Sequence, residues 1–379
     1  MTFSTLALVA VIGLAGPLLA LNRSWHLPVI LGELLGGIIF GTTGFGVLHA
    51  SDEIFTFLAD IGFALTMFVA GTHVPVRDQA VRGALRNGVG RAVLAGVGAA
   101  VLGVVLAKVF DTGHPALYAV LMASSSAALV LPIIDSLGLG GRSVLEMTAQ
   151  VAIADTACIV ALPLVIDSAN AGRAALGALA VAACAVVLFL GLRYVEHSGA
   201  RQRVHDLSEN RSFALELRVS LAILFALAAL ASKSHVSIML AGFAFGLAVA
   251  AVGEPRRVAK QLFAINDGFL GPLFFVWLGA KIDLREFGEH PDLILLGISL
   301  GLGAVLVHLL SRLLGQPLPL GALAAAQIGV PVAAVTVGTQ THMLAPGEPS
   351  ALILGALVTI AIAAVAGPIA VRRGMTAAK

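Results

Sequence analysis

Gln150-Val-Ala-Ile-Ala-Asp155-Thr-Ala-Cys-Ile159 sets one carboxylate in the middle of an apolar run from about Ser143 to Ile166. At about 1.5 Å per residue a helix of that length crosses a bilayer. A charge at mid-bilayer costs at least ~2.5 kcal/mol, so an acid there marks an ion or proton path. In a water-soluble protein the same Asp would be unremarkable, and membrane residence therefore decides its meaning.

Composition settles that residence. Apolar residues are 59% of the 379, and 42 glycines bring the total to about 70%, against roughly 45–50% in soluble domains. Charged residues are 12% against about 25%, too few to cover a soluble fold of this size. Cys158 and Cys184 both fall in apolar runs, which indicates no disulfide framework and no cysteine metal site. A net charge of +2 without a basic, aromatic-studded stretch gives no reason to expect nucleic acid. Met-Thr-Phe-Ser lacks the basic start of a signal peptide, so residues 2–21 are expected to remain as a first helix.

Polar punctuation divides the chain into thirteen apolar segments: 2–21, 27–48, 54–71, 89–107, 115–136, 143–166, 173–192, 213–231, 236–252, 262–280, 292–314, 318–341 and 349–371. Placing the N-terminus outside puts 17 basic residues in the cytoplasmic connections. They are Arg23, Arg77, Arg82, Arg86, Arg91, Arg142, Arg193, Arg201, Arg203, Arg211, Arg256, Arg257, Lys260, Arg312, Arg372, Arg373 and Lys379. Five fall outside: Lys108, Arg173, Lys233, Lys281 and Arg285. The positive-inside rule then predicts a multi-pass protein of the cell membrane, N-terminus outside and C-terminus cytoplasmic.

The fifth segment holds Ala123-Ser-Ser-Ser-Ala-Ala-Leu-Val-Leu-Pro132, and the twelfth holds Gln327-Ile-Gly-Val-Pro331 with Thr336 and Gly338 beyond. Pro132, Gly329 and Pro331 are expected to break these helices, with Ser124, Ser125 and Ser126 satisfying freed backbone groups. Segments one to six and eight to thirteen form two six-helix halves, the second inverted by the single seventh helix. Broken helices at matching places in inverted halves point to a transporter's midplane site. Asp155 follows directly on the first of them. The fold class expected is an all-α polytopic membrane protein of about thirteen helices, built from two inverted six-helix repeats.

Several stretches carry a family resemblance. Pro28-Val-Ile-Leu-Gly-Glu-Leu-Leu-Gly-Gly-Ile-Ile-Phe-Gly41, Asp60-Ile-Gly with Phe68-Val-Ala-Gly71, Leu240-Ala-Gly-Phe-Ala-Phe-Gly246 and Pro272-Leu-Phe-Phe-Val-Trp-Leu-Gly-Ala-Lys-Ile-Asp283 occur in order across nearly the whole chain. Together they resemble the membrane domain of the monovalent cation:proton antiporters, in particular the second family, of Na+/H+ antiporters and glutathione-gated potassium efflux systems. The resemblance implies a cation/proton exchanger domain over 1–379, a Na+/H+ antiporter-like fold. Residues 89–167 and 291–371 would be core transport helices, 1–75 and 213–283 scaffold and dimer helices, and 173–192 a linker helix. It implies a homodimer among membrane lipids. With the chain stopping eight residues past its last helix, no cytoplasmic regulatory domain is expected, and such control would come from a separate subunit. Three positions depart from the family pattern. Ala154 stands where Asn or Asp usually precedes the ion-binding Asp, Val330 where Glu is common, and Gly303 near an expected Lys, with His308 close by.

The expected ion and proton site is Asp155 with Thr156, Ser124, Ser125, Ser126 and Gln327. Hard monovalent cations prefer oxygen, and a proton competes for the same carboxylate. Each occupant neutralises Asp155 and lets it cross the barrier, which is antiport by alternating access with no cofactor and no enzyme chemistry. A single carboxylate favours an electroneutral exchange of Na+ or K+ for one proton. Glu33, Asp60 and Glu216 sit nearer helix ends and read as structural, Cys158 and Met147 as packing, and His308 as a bond between helices. Two other readings compete: an organic-anion/sodium symporter of related fold, which would want more polar or basic residues at the crossing, and a non-transporting membrane sensor or resistance protein.

Overall fold

The computed structural model describes residues 1–21, 29–74, 77, 79–166, 171–197, 214–234, 236–253, 256–285, 287, 291–341 and 343–376. Arg23, Pro28, Arg201, Arg203, Arg211 and Lys379 lie outside the described residues, and so do the side chains of Arg82, Arg256 and Arg257.

Each of the thirteen apolar segments is a helix. They are α1 (Phe3–Gly13, kinked into Ala15–Ala20), α2 (Val29–Phe40), α3 (Glu53–Thr72), α4 (Gln79–Val109), α5 (Pro115–Ala123 and Ala127–Leu137), α6 (Arg142–Ile166) and α7 (Ala171–His197). The second half comprises α8 (Leu215–Lys233), α9 (Ile238–Val252), α10 (Arg256–Ile265, a π turn Asn266–Leu270, Gly271–Lys281), α11 (Pro291–Leu309 with a 3-10 tail to Leu314), α12 (Leu318–Ala324 and Gly329–Gln340) and α13 (Glu348–Arg372). Ten are long and apolar enough to cross a membrane, while α1, α2 and α9 are apolar but shorter. Among the described residues there is no strand, only an isolated bridge between Leu139 and Thr376 that joins the ends of α5 and α13. An all-helical solution is what lipid demands, because backbone donors and acceptors find no water there.

Helix termini use local chemistry. Asp52 begins α3 by accepting from the amides of Ile54 and Phe55, each at 3.0 Å, and it also pairs with the Met1 ammonium. Three groups lowering the proton affinity of one exposed carboxylate hold Asp52 below its ordinary value, the terminal ammonium first. Ser237 caps α9 through Met239 N at 3.2 Å.

Two helix pairs in the first-to-third and eighth-to-tenth groups approach backbone to backbone. On α3 and α9, a Cβ at Gly71 would lie 2.9 Å from Leu247 N, and one at Gly246 would lie 3.0 Å from Gly71 Cα. On α2 and α10, Gly37 and Gly279 meet the same way, with each added Cβ 2.9 Å from the other's Cα. Small residues allow such contact where no hydrophobic effect drives helices together. Inverting one half onto the other exchanges these pairs, so the packing repeats with the topology. α4 with α6 and α11 with α13 form the corresponding extensive pairs in the other helices.

A polar tie joins α5 to α13. Glu348 is 1% exposed and accepts from the Tyr118 hydroxyl at 2.7 Å, while His114 Nδ1 lies 2.9 Å from the same oxygen. Its second oxygen accepts from Ala345 N at 3.1 Å. Donating a hydrogen bond to Glu348 raises the proton affinity of His114 above the ordinary imidazole value of 6.5, against the opposing effect of partial burial.

Two expectations follow from this packing. Gly246→Val inserts a side chain where helix backbones touch, so the purified protein should lose thermal stability by several degrees; an unchanged melting curve would mean the close approach is not needed. For His114, the folded value lies above the unfolded one, so its stabilisation is complete below about pH 6.5 and lost as pH rises through the folded value. The melting-temperature gap between the wild type and His114→Ala should shrink on alkalinisation. A gap constant with pH would refute the tie.

Candidate ion-binding site

The chain interrupts its helices at two places that meet. α5 breaks at Ser124–Ser126, where Ser124 (φ −72°, ψ 154°) and Ser126 (φ −128°, ψ 107°) are extended. α12 breaks over Ala325–Ile328, and the amide of Ser126 donates to the Ala326 carbonyl at 2.8 Å, tying one break to the other. Irregular backbone survives at membrane depth only when protein supplies its partners.

The proline positions differ from expectation. Pro132 sits inside the second half of α5, five residues past its first, so the serines and not the proline make that break. The amide that a proline lacks is expendable only in the first turn of a helix, which is where Pro331 stands, two residues after Gly329 opens the second half of α12. Gly329 and Pro331 thus start a half-helix at the break, and Pro132 leaves the Ala128 carbonyl without its usual donor.

Asp155 reaches this crossing from α6. It is 4% exposed, and its Oδ2 accepts from the amide of Ala127 at 2.9 Å. Ala127 is the first residue of the second half of α5, so the carboxylate lies at the positive end of that half-helix. Ser124 Oγ lies 2.9 Å from Leu121 O and close against Gln327 Oε1, one hydroxyl hydrogen being shared between the two acceptors. Gln327 N in turn donates to Thr359 Oγ1 of α13 at 3.3 Å. Ser125 Oγ lies 2.6 Å from Ala324 O and 3.2 Å from His308 Nε2. Asp155, the three serines and Gln327 are therefore gathered at one place, all with under 5% exposure.

Thr156 is not. It donates to Ala152 O at 2.8 Å on its own preceding turn and faces an apolar groove of about 590 Å³ with Val160, Ala182, Phe243 and Leu247. One step along a helix turns a side chain by about 100°, which carries Thr156 off the face that Asp155 uses. Sequence adjacency is a poor guide here.

A cavity of about 360 Å³ opens on the side where α3 and α7 begin, lined by Asp60 and Phe63 of α3, Pro163 and Ile166 of α6, Arg173 of α7 and Thr336 of α12. Pro163 is eight residues from Asp155, so the cavity floor lies ~12 Å from the carboxylate along α6. Thr336 Oγ1 is buried without a hydrogen-bond partner in the described structure, a position suited to water. Asp60 thus lines this cavity rather than only a helix end.

The three family departures are visible in the packing. Ala154 and Val330 are buried with 4% and 1% exposure. A Cβ on Gly303 would fall 2.7 Å from Met122 Sδ and 2.9 Å from Leu102 Cδ2, so no longer side chain fits there without repacking. His308 is fully buried and reaches the crossing instead. Arg91, read as a connecting-loop charge, lies within α4 at 2% exposure, because α4 starts at Gln79, about ten residues earlier than its apolar run. It pairs with Glu146 of α6 at 2.6 Å, joined by Asn87 at 2.7 Å. A basic residue followed at helical spacing by small apolar ones was the available signal for this pair.

Interrupted helices crossing around a buried carboxylate, in an all-helical membrane chain of inverted halves, form the architecture of a secondary transporter. Comparison with known proteins agrees. The transmembrane sodium/hydrogen exchanger profile matches residues 6–373, and the chain belongs to that family. YjbQ of Bacillus subtilis, which carries an Na(+)/H(+) antiporter name, is 24% identical over 94% of this chain and 61% of its own length. The glutathione-regulated potassium-efflux system protein KefC of Enterobacter sp. (strain 638) is 28% identical over 70% of this chain and 43% of its own. The chain thus spans about three-fifths of the first relative and less than half of the second. The sodium proton antiporter MjNhaP1 from Methanocaldococcus jannaschii superposes with a TM-score of 0.66 at 18% identity, covering 98% of this chain and 97% of that one. That likeness shows the fold.

Proposed function

We propose that this chain exchanges a monovalent cation, Na+ or K+, for a proton across the cell membrane by alternating access, with Asp155 as the carboxylate both occupy. The observation that carries the reading is the Asp155–Ala127 contact, which sets a buried acid against the open end of a half-helix at the crossing. One amide donor leaves most of the carboxylate's acceptor capacity free for a cation or a proton. The serine hydroxyls and the carbonyls at the breaks supply the remaining oxygens that a hard monovalent cation requires.

Competition gives coupling. An empty, ionised Asp155 is costly to move through the apolar barrier, while a protonated or cation-occupied one is neutral. Movement then happens only with one of the two bound, and the gradient of one drives the other. α4–α6 and α11–α13 would move as the core against α1–α3 and α8–α10, which would also hold the dimer contact. The cavity bordered by Asp60 and Thr336 serves as one mouth of the pathway. The excess of Arg and Lys on the side where α3 and α13 end supports a cytoplasmic position for that side. The relatives named for sodium and for potassium leave both cations within the proposal.

Two measurements test it in proteoliposomes with a fluorescent pH reporter. Asp155→Asn fixes the site neutral and should abolish cation-dependent proton movement while the protein stays folded; retention of most exchange would remove Asp155 from its role. The wild-type rate should also be unaffected by an imposed membrane potential, because one charge leaves as another enters. A rate that rises or falls on reversing the potential would show that a further charge moves.

A further inference from the structure

The apolar groove beside Thr156 runs toward the side on which α3, α7 and α9 end. Its volume is about 590 Å³, and its walls are α6, α7 and α9. On α7 the lining recurs at intervals of seven residues, Ala175, Ala182 and Phe189, which is one face of a helix. That stretch is ~21 Å long at about 1.5 Å per residue, more than the ~15 Å of one leaflet in a hydrocarbon core of ~30 Å. Val160 of α6 and Leu247 and Ala251 of α9 close the other sides. Thr156 carries the only hydroxyl among the described lining residues, and its hydrogen goes to Ala152 O at 2.8 Å. Water finds too few polar partners there, so the groove suits a hydrocarbon chain.

Positive charge stands at one end of it. One turn past Phe189, on the same face of α7, is Arg193, which is exposed. α9 leaves the groove at Ala251, and the carbonyl of the next residue, Val252, accepts from Arg77 Nη1 at 2.7 Å. Arg77 is exposed as well. A guanidinium has five N–H groups, so one bond to a carbonyl leaves Arg77 donors for an anion. The other end differs. Arg173 lies two residues before Ala175, a turn of about 200° that sets it on the side of the Asp60 cavity, which it lines. We propose that the groove is a phospholipid site, in which one acyl chain lies among α6, α7 and α9 while Arg77 and Arg193 hold an anionic headgroup at the cytoplasmic surface. Anionic lipids give that leaflet its negative charge, and basic residues beside it attract them.

The site lies within a single chain and apart from the crossing. Thr156 and Val160 turn away from the face of α6 that Asp155 uses, and neither arginine reaches Asp155, the serines or Gln327. A lipid bound there takes up no proton and no transported cation, so the one-for-one exchange is untouched. It does fill the seam between α6, assigned above to the moving core, and α9, assigned to the scaffold. Lipid occupancy therefore bears on the rate of exchange. That consequence rests on the antiport reading, whereas the binding itself does not.

The test titrates the purified protein with dioleoyl phosphatidylglycerol and dioleoyl phosphatidylcholine and counts bound lipid per chain by native mass spectrometry. Phosphatidylglycerol should bind more tightly than phosphatidylcholine by a factor on the order of ten. The double variant Arg77→Gln/Arg193→Gln should erase that preference and keep the weaker binding of both lipids. Ala182→Trp, which fills the groove, should weaken both by a factor on the order of ten. Equal binding of the two lipids by the wild type overturns the proposal, as does wild-type phosphatidylglycerol binding by Ala182→Trp. Competition by glycerol phosphate as effective as that of the whole lipid also overturns it, since the arginines then take a free phosphate without the groove. So does a loss of dimers in Ala182→Trp with bound lipid unchanged, which would make a second copy the occupant. Should Ala182→Trp fail to fold, dihexanoyl phosphatidylglycerol is titrated against the wild type. Its short chains leave most of the groove empty and should bind far more weakly, and affinity equal to the dioleoyl lipid overturns the proposal. Asp155→Asn keeps the two readings apart. It should bind phosphatidylglycerol as the wild type does, and loss of that binding overturns the placement away from the crossing. Full exchange in Asp155→Asn defeats the antiport reading alone.

Discussion

The hydrogen bond from the Ala127 amide to Asp155 is the contact on which the rest of the structure depends. A carboxylate in the interior of a helix bundle needs a partner, and a helix that stops and restarts in mid-membrane has donors to spare. Each solves the other's problem. The break at Ser124–Ser126 exposes the amide that holds Asp155, and Asp155 satisfies an amide that lipid could not. The second break completes the arrangement, since the Ala326 carbonyl takes the Ser126 amide and Gln327 takes the Ser124 hydroxyl. A polar crossing of this kind exists only because two interruptions meet.

The packing around them is symmetric. The Gly71–Gly246 and Gly37–Gly279 contacts draw α3 to α9 and α2 to α10 until backbones touch, which leaves little room for adjustment within that group. The fourth-to-sixth and eleventh-to-thirteenth helices are tied by polar bonds as well. Arg91 with Glu146 links α4 to α6, and Tyr118 and His114 with Glu348 link α5 to α13. Between the groups lie the Asp60-lined cavity and the apolar groove beside Thr156.

The departures from family pattern gain a physical sense from this packing. Val330 occupies a buried place in the first turn of a half-helix, where an acid would need a partner that the neighbouring apolar residues do not provide. Gly303 packs under Met122 and Leu102, so a long basic side chain there would displace both. His308, five residues on, sets its ring against Ser125 at the crossing from the same helix.

Much of this was legible in the sequence because membrane constraints are severe. Length, apolarity and charge placement determined thirteen helices and the inverted halves, since a span must be about twenty apolar residues and an intramembrane acid is too costly to be incidental. They also singled out Asp155, the serine triplet and Gln327. Side-chain direction was beyond their reach. Thr156 adjoins Asp155 in sequence yet faces an apolar groove, Pro132 sits past the break it was expected to make, and Arg91 lies buried in a helix whose polar first turns hid its start. Only the tertiary structure decided that His308 meets Ser125, 183 residues away, and that Ser124 meets Gln327, 203 residues away. The physical reason is that apolar periodicity reports which face avoids water, and in a membrane nearly every face does, so it cannot report which polar atoms will find one another.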